Sequence, residues 1–141
     1  VLFSLGNEEY AISITQVKEI IQYKSATKIP NSPDYMEGII SLRGKVLPVV
    51  ELALRLGGTA NRVVDRRALI VETPGREFGI VVDAVTEVIR LADSNIEPSP
   101  AMSAADGYIR GIGKDGTRLI ILLDVNKLFD DDDLQQMDMA G

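Results

Sequence analysis

The constraint that most limits what this chain can fold into is an internal repeat. Residues 8–21, EEYAISITQVKEII, align with residues 76–89, REFGIVVDAVTEVI, at a constant offset of 68. Tyr10 falls on Phe78, Ile12 on Ile80, Ile14 on Val82, Val17 on Val85, Glu19 on Glu87, Ile20 on Val88 and Ile21 on Ile89. Further on, Gly38-Ile39 stands thirteen residues before Glu51, as Gly111-Ile112 stands thirteen before Asp124, and both stretches run into a short ELALRL or DVNKLF segment. A repeat of this length means one supersecondary unit used twice, each copy burying the same face. The halves meet within residues 57–67, GGTANRVVDRR, whose glycines and polar residues suit a connection.

Each half reads mainly as strand. Leu2–Leu5 and Tyr10–Ile14 flank Gly6-Asn7-Glu8, and Ala68–Glu72 and Phe78–Val82 flank Thr73-Pro74-Gly75-Arg76. Apolar, β-branched runs around turn residues signal hairpins. Ile14, Val17, Ile20 and Ile21 then change to helical spacing, as do Val82, Val85, Val88 and Ile89, with Thr15 and Asp83 as the expected N-caps. NSPDYMEG suggests a one-turn helix, with Ser32 as cap, Pro33 in its first position and Gly38 as its stop. Many short strands with little helix favour small closed sheets, and five strands per half would close a barrel and hide its edges.

Composition removes most chemistries. Among 141 residues there is no cysteine, histidine or tryptophan, so disulfides, thiolate nucleophiles, imidazole bases and the usual zinc or copper ligands are absent together. No catalytic residue, metal site or cofactor is expected. A net charge of −6 repels phosphate backbones and anionic lipid, which argues against a nucleic-acid partner. The longest apolar run, Leu119–Leu123, falls far short of the roughly 20 residues that span a bilayer. A cytoplasmic location with no direct membrane insertion is the expectation, and an opening on Val1 inside an apolar run suggests that a short N-terminal piece has been removed.

Two motifs mislead. GIGKDG, residues 111–116, matches the dinucleotide fingerprint, but that motif must open a helix, whereas TRLIILLDV after it is strand-like. DDDD, residues 130–133, lacks the ligand spacing of a calcium loop and reads as the start of a solvated acidic tail over 130–141. No pair among the 21 carboxylates is singled out by spacing for acid–base work, and no nucleophile elbow occurs.

What remains is an excess of apolar residues over what two small barrels can enclose. Ile14, Val17 and Ile20, with Val85 in the other half, either form the seam between the halves or line a groove that stays open, and an open apolar groove suits an amphipathic helix. In SLRGKV, Gly44 serves a hairpin corner. Arg43 braces that turn or presents its fork to a partner's carboxylate.

FSLGNEEYAI followed by ITQVKEII, then IPNSPDYMEGIISLRGKVLPVVEL, then YIRGIGKDGTRLIILLDVNKLF, resemble the chemotaxis coupling (CheW) family from near the first residue to about Phe129. Ser41 and Glu51 stand where asparagine and aspartate are commoner in it. The full PNSPDYMEG segment separates this chain from the related regulatory domain of the chemotaxis histidine kinase, in which that connection is shorter.

The resemblance implies a mainly β fold: one CheW-like domain over 1–141, made of two SH3-like five-stranded barrels with short helices. The first barrel is expected over about 10–60 and the second over about 66–129, with Leu2–Leu5 free to pair with either half. It also implies a non-catalytic adaptor that joins the cytoplasmic tip of methyl-accepting chemoreceptors to the regulatory domain of the kinase CheA, reaching membrane receptor arrays through those partners. Carried over by position, the receptor groove falls on Ile14, Val17, Ile20, Arg43 and Val85, and the kinase contact on Ile29, Pro30 and Tyr35. The alternatives are the same module within a larger chemotaxis protein, as a kinase C-terminal domain or a coupling–receiver fusion, and a small-ligand β-barrel.

Overall fold

A computed structural model describes residues 1–58, 66–98 and 107–128. The expected acidic tail, the middle of the inter-half connection and the SPAMSAAD segment lie outside the described residues. In chain order the strands are β1 (Leu2–Leu5), β2 (Glu8–Ala11), β3 (Val17–Gln22), β4 (Met36–Leu42), β5 (Lys45–Glu51), β6 (Arg67–Thr73), β7 (Arg76–Val82), β8 (Ala84–Glu87), β9 (Ile96–Glu97), β10 (Ile109–Asp115) and β11 (Arg118–Leu123). One short helix, α1 (Leu52–Arg55), follows β5.

The hairpins form where the apolar runs and turn residues place them. The fold is mainly β, in agreement with expectation. The helical reading of residues 14–21 and 82–89 is overturned. Ile14–Gln16 is a single 3-10 turn, and Val17–Gln22 is a strand paired with β6 from Val17↔Val71 to Gln22↔Arg67. A bulge between Val17 and Glu19 shifts the pairing register, yet burial still alternates along the strand, and the spacing imitates a helical period because Ile20 is apolar on the outer face. β8 likewise pairs with β1, with its own register shift. Asp83 is not a helix cap; its carboxylate accepts the Gly6 N–H at 2.6 Å. The NSPDYMEG segment makes one turn, closed by the Met36 N–H donating to the Pro33 carbonyl at 2.9 Å, and Gly38 sits inside β4 instead of ending a helix.

The strand order is β3-β6-β7-β5-β4 in one sheet and β8-β1-β2-β11-β10-β9 in the other. The sheets therefore do not follow the expected partition at about 10–60 and 66–129. Hairpin β6–β7 of the second half lies between β3 and β5 of the first, through antiparallel β3–β6 and parallel β5–β7 pairing. Reciprocally, hairpin β1–β2 of the first half lies between β8 and β11 of the second. The two halves have exchanged hairpins. Tyr10 and Ile12 are matched by Phe78 and Ile80, so the two hairpins carry similar apolar residues at these places.

One continuous core results. Phe3, Ile12, Leu123, Val125 and Leu128 pack in a single cluster with Val50, Leu69, Val71, Phe78, Ile80 and Val82. Phe3 and Phe78 are almost wholly removed from solvent. Repeat-related backbone bonds close the last hairpin of each half in the same way. The Glu51 N–H donates to the Tyr35 carbonyl at 2.7 Å, and the Asp124 N–H to the Tyr108 carbonyl at 2.8 Å. The Arg55 guanidinium lies 5.9 Å from both the Tyr35 and the Tyr108 ring centres, so one cation from α1 touches a tyrosine of each half.

Candidate docking site

Among the described residues no group of three or more carboxylate, histidine or cysteine side chains could hold a metal ion, and no helix is long and apolar enough to cross a membrane. GIGKDG runs through β10 into a hairpin turn at Gly116, so no helix N-terminus faces it.

The five predicted groove residues separate into two kinds. Ile14, in the 3-10 turn that carries the chain from one sheet to the other, is 56% exposed, and Ile20, on the outer face of β3, is 43% exposed. Val17 and Val85 are half-buried and pack against the common core. Both have some surface open, yet neither stands out from the sheet as Ile14 and Ile20 do.

An open groove of about 290 Å³ lies beside the crossover turn, lined among others by Ile14, Val88, Ile89 and Leu91, with Arg110 among its walls. Of the predicted residues only Ile14 lines it. Val88, at 59% exposure, is the residue that sequence reasoning left out. The repeat carried the signal, because Val88 occupies the place of Ile20 and both point outward. A second repeat-related pair is equally open: Val46 at 56% and Leu119 at 62%, each next to the tight turn of its own hairpin. Four of the five exposed large apolar side chains among the described residues thus come in matched pairs; Ile14 is the exception, its match Val82 being fully buried.

Arg43 is placed by local geometry. It and Gly44 form the corner between Leu42 and Lys45, with φ of 51° and 80°. Its guanidinium pairs with Glu19 of β3, the strand at the opposite edge of the same sheet. Arg43 therefore spans the seam between the two edge strands. In the other sheet Arg118, the match of Lys45, pairs with Glu87 at 2.8 Å and Glu9 at 3.6 Å, Glu87 being the match of Glu19 and Glu9 that of Glu77. Its hydrogen bonds to Asp115 and Glu87 raise its already high pKa. Beside Arg43, partial burial pushes the Glu77 carboxyl up, but Lys18 at 3.3 Å and Lys45 at 3.6 Å outweigh it and hold it below the usual carboxylate range.

Ile29, Pro30 and Tyr35 belong to the loop between β3 and β4. Asn31 takes φ 62° there, and the Ser32 hydroxyl donates to the Ile29 carbonyl at 2.7 Å. Pro30 is exposed and Ile29 half-buried, while Tyr35 packs on the core and against Arg55.

Comparison with known proteins gives this arrangement a family. A family model described as CheW-like domain matches residues 1–133. The chain is 37% identical over 140 residues to the chemotaxis protein CheW of Klebsiella aerogenes, covering 97% of this chain and 84% of that one. It is 35% identical over 138 residues to the chemotaxis protein CheW of Bacillus subtilis, covering 96% and 88%. Among solved structures, the scaffolding protein TtCheW from Thermoanaerobacter tengcongensis superposes with a TM-score of 0.85 at 40% identity, over 94% of this chain and 92% of that one. With fold, length and motif order all in agreement, the chain belongs to the CheW-like domain family of non-catalytic chemotaxis adaptors.

Proposed function

We propose that this protein is the cytoplasmic adaptor that holds the tip of a transmembrane chemoreceptor and the regulatory domain of the histidine kinase CheA at the same time. The observation that carries this reading is the open apolar groove at Ile14 and Val88, on a molecule whose interior is already filled by its own core. A groove of this kind accepts the apolar stripe of an amphipathic helix. Arg110 would favour a partner helix with a carboxylate next to that stripe. Ile20 and Arg43 extend the receptor surface along β3, with Val17 and Val85 supporting it from beneath, and Ile29, Pro30 and Tyr35 supply the kinase contact. Binding both partners converts their encounter into an intramolecular event, so the output is relative geometry and effective concentration instead of catalysis.

The test is co-precipitation with a receptor cytoplasmic fragment and, separately, with the kinase regulatory domain. Val88→Asp should weaken receptor capture by at least about 30-fold, the equivalent of about 2 kcal/mol at a buried anchor, with kinase capture and thermal unfolding unchanged. Undiminished receptor capture by Val88→Asp together with Ile14→Asp would remove this groove from the reading.

A further inference from the structure

The groove beside the crossover turn is apolar at Ile14, Val88, Ile89 and Leu91, and among the described residues Arg110 is the only charged side chain in its walls. That is unexpected in a chain whose 21 acidic residues outnumber its 15 basic ones. Many of the cations are committed within the molecule: Lys18 and Lys45 to Glu77, Lys114 to Glu97, Arg118 to Glu87. Arg110 is exposed and has no carboxylate partner among the described residues.

The repeat shows why it is left over. Arg110 stands just before Gly111 as Glu37 stands just before Gly38, and Leu91 stands where the offset of 68 puts Tyr23. In the first half these two positions satisfy each other, the Tyr23 hydroxyl donating to the Glu37 carboxylate at 2.9 Å. In the second half a leucine replaces the tyrosine and a guanidinium replaces the carboxylate. The Leu91 side chain offers no acceptor to the N–H groups of Arg110, and both side chains line the groove. A closed internal contact of one half has become an open, apolar and positively charged site in the other.

We propose that Arg110 selects the partner of this groove. The docking helix carries an aspartate or glutamate within about one turn of its apolar stripe, and a helix with lysine or arginine at that place is refused. Docking takes water away from Arg110, and only a carboxylate, whose two oxygens match the guanidinium fork, replaces the hydrogen bonds that are lost. A neutral apolar side chain leaves the guanidinium unpaired and a basic one repels it, so selection works chiefly by penalty. This selection deepens the receptor reading given above and rests on it.

The test is titration calorimetry with the receptor cytoplasmic fragment. Arg110→Gln should weaken binding about fivefold and Arg110→Glu at least about 30-fold, both with unchanged thermal unfolding, because the guanidinium has no partner in the free protein. Arg90→Gln removes the same charge from an exposed residue that does not line the groove, although its neighbours Ile89 and Leu91 do, and should change affinity less than about twofold. Changing each acidic residue of the fragment's tip to its amide, one at a time, should find one whose loss equals that of Arg110→Gln and adds nothing to it. Lysine at that one place should restore binding to Arg110→Glu. Wild-type affinity in both Arg110 variants, beside a loss in Val88→Asp, overturns the selection and leaves the groove as the receptor site. Equal losses in Arg90→Gln and Arg110→Gln also overturn it, the effect then belonging to the general field. Wild-type affinity in Arg110→Glu and Val88→Asp alike removes the groove itself, and the selection with it.

Discussion

Three glycines and one arginine show how differently single positions are constrained. A Cβ added at Gly38 would lie 2.2 Å from the Thr27 carbonyl oxygen, at a φ of 144° that side chains avoid. Gly38→Ala should therefore cost about 3 kcal/mol or more in urea unfolding, because backbone must move to admit it. Gly111, its partner in the repeat, faces the Glu97 carbonyl oxygen at 2.7 Å for the same reason: a neighbouring segment crosses a bulge at van der Waals distance. Gly44 has open space around it and a φ of 80°, so Gly44→Ala should cost only the left-handed strain of about 1–2 kcal/mol. Arg43 already accepts that strain at φ 51°. Arg43→Ala keeps the strain and removes only an exposed ion pair with Glu19, and should cost under about 1 kcal/mol in the same assay. A much larger loss of receptor capture in that variant would then belong to partner contact. The arginine–glycine pair was legible as a corner from sequence; that the arginine reaches across a sheet seam was not, because Glu19 lies on a strand its own hairpin never pairs with.

At the level of the element, β3 decides between scaffold and surface. Its alternation directs Val17 and Ile21 inward and Ile20 outward, on either side of the bulge at Val17–Glu19. Val17→Asp should bury a charge against the core and cost about 3 kcal/mol or more, so that fold and binding fail together. Ile20→Asp should leave thermal stability within about 0.5 kcal/mol while reducing receptor capture, since its side chain touches solvent. Circular dichroism melts run beside the co-precipitation separate the two. A helical period was the wrong reading of this segment, and the reason is physical. Burial alternates regularly along Val17–Gln22, so I-x-x-V-x-x-I-I is met by a strand that carries one apolar residue, Ile20, on its open face as well as by two helical turns. β-branched density and the edge of β6 decided for the strand.

For the whole molecule, exchange of hairpins makes each sheet depend on both halves of the chain. Neither half can unfold while the other keeps its strands, and the shared core of Phe3, Phe78 and their neighbours runs through both sheets. Unfolding should therefore be a single transition, coincident by circular dichroism and tyrosine fluorescence. Phe3→Ala should lower that one transition by about 3–5 kcal/mol without splitting it. Two separable transitions would contradict the intertwined pairing.

By itself the sequence determined most of the hairpins, the doubling and the lack of cysteine, histidine and tryptophan, because each of these rests on local periodicity or on which residue types are present. Only the tertiary structure decided which hairpin enters which sheet, that Val88 rather than Val17 opens onto a groove, and that Glu51 and Arg66 pair in the interior. Those outcomes depend on contacts between residues far apart in the chain, and two halves with similar apolar patterns offer much the same local signal to either partner.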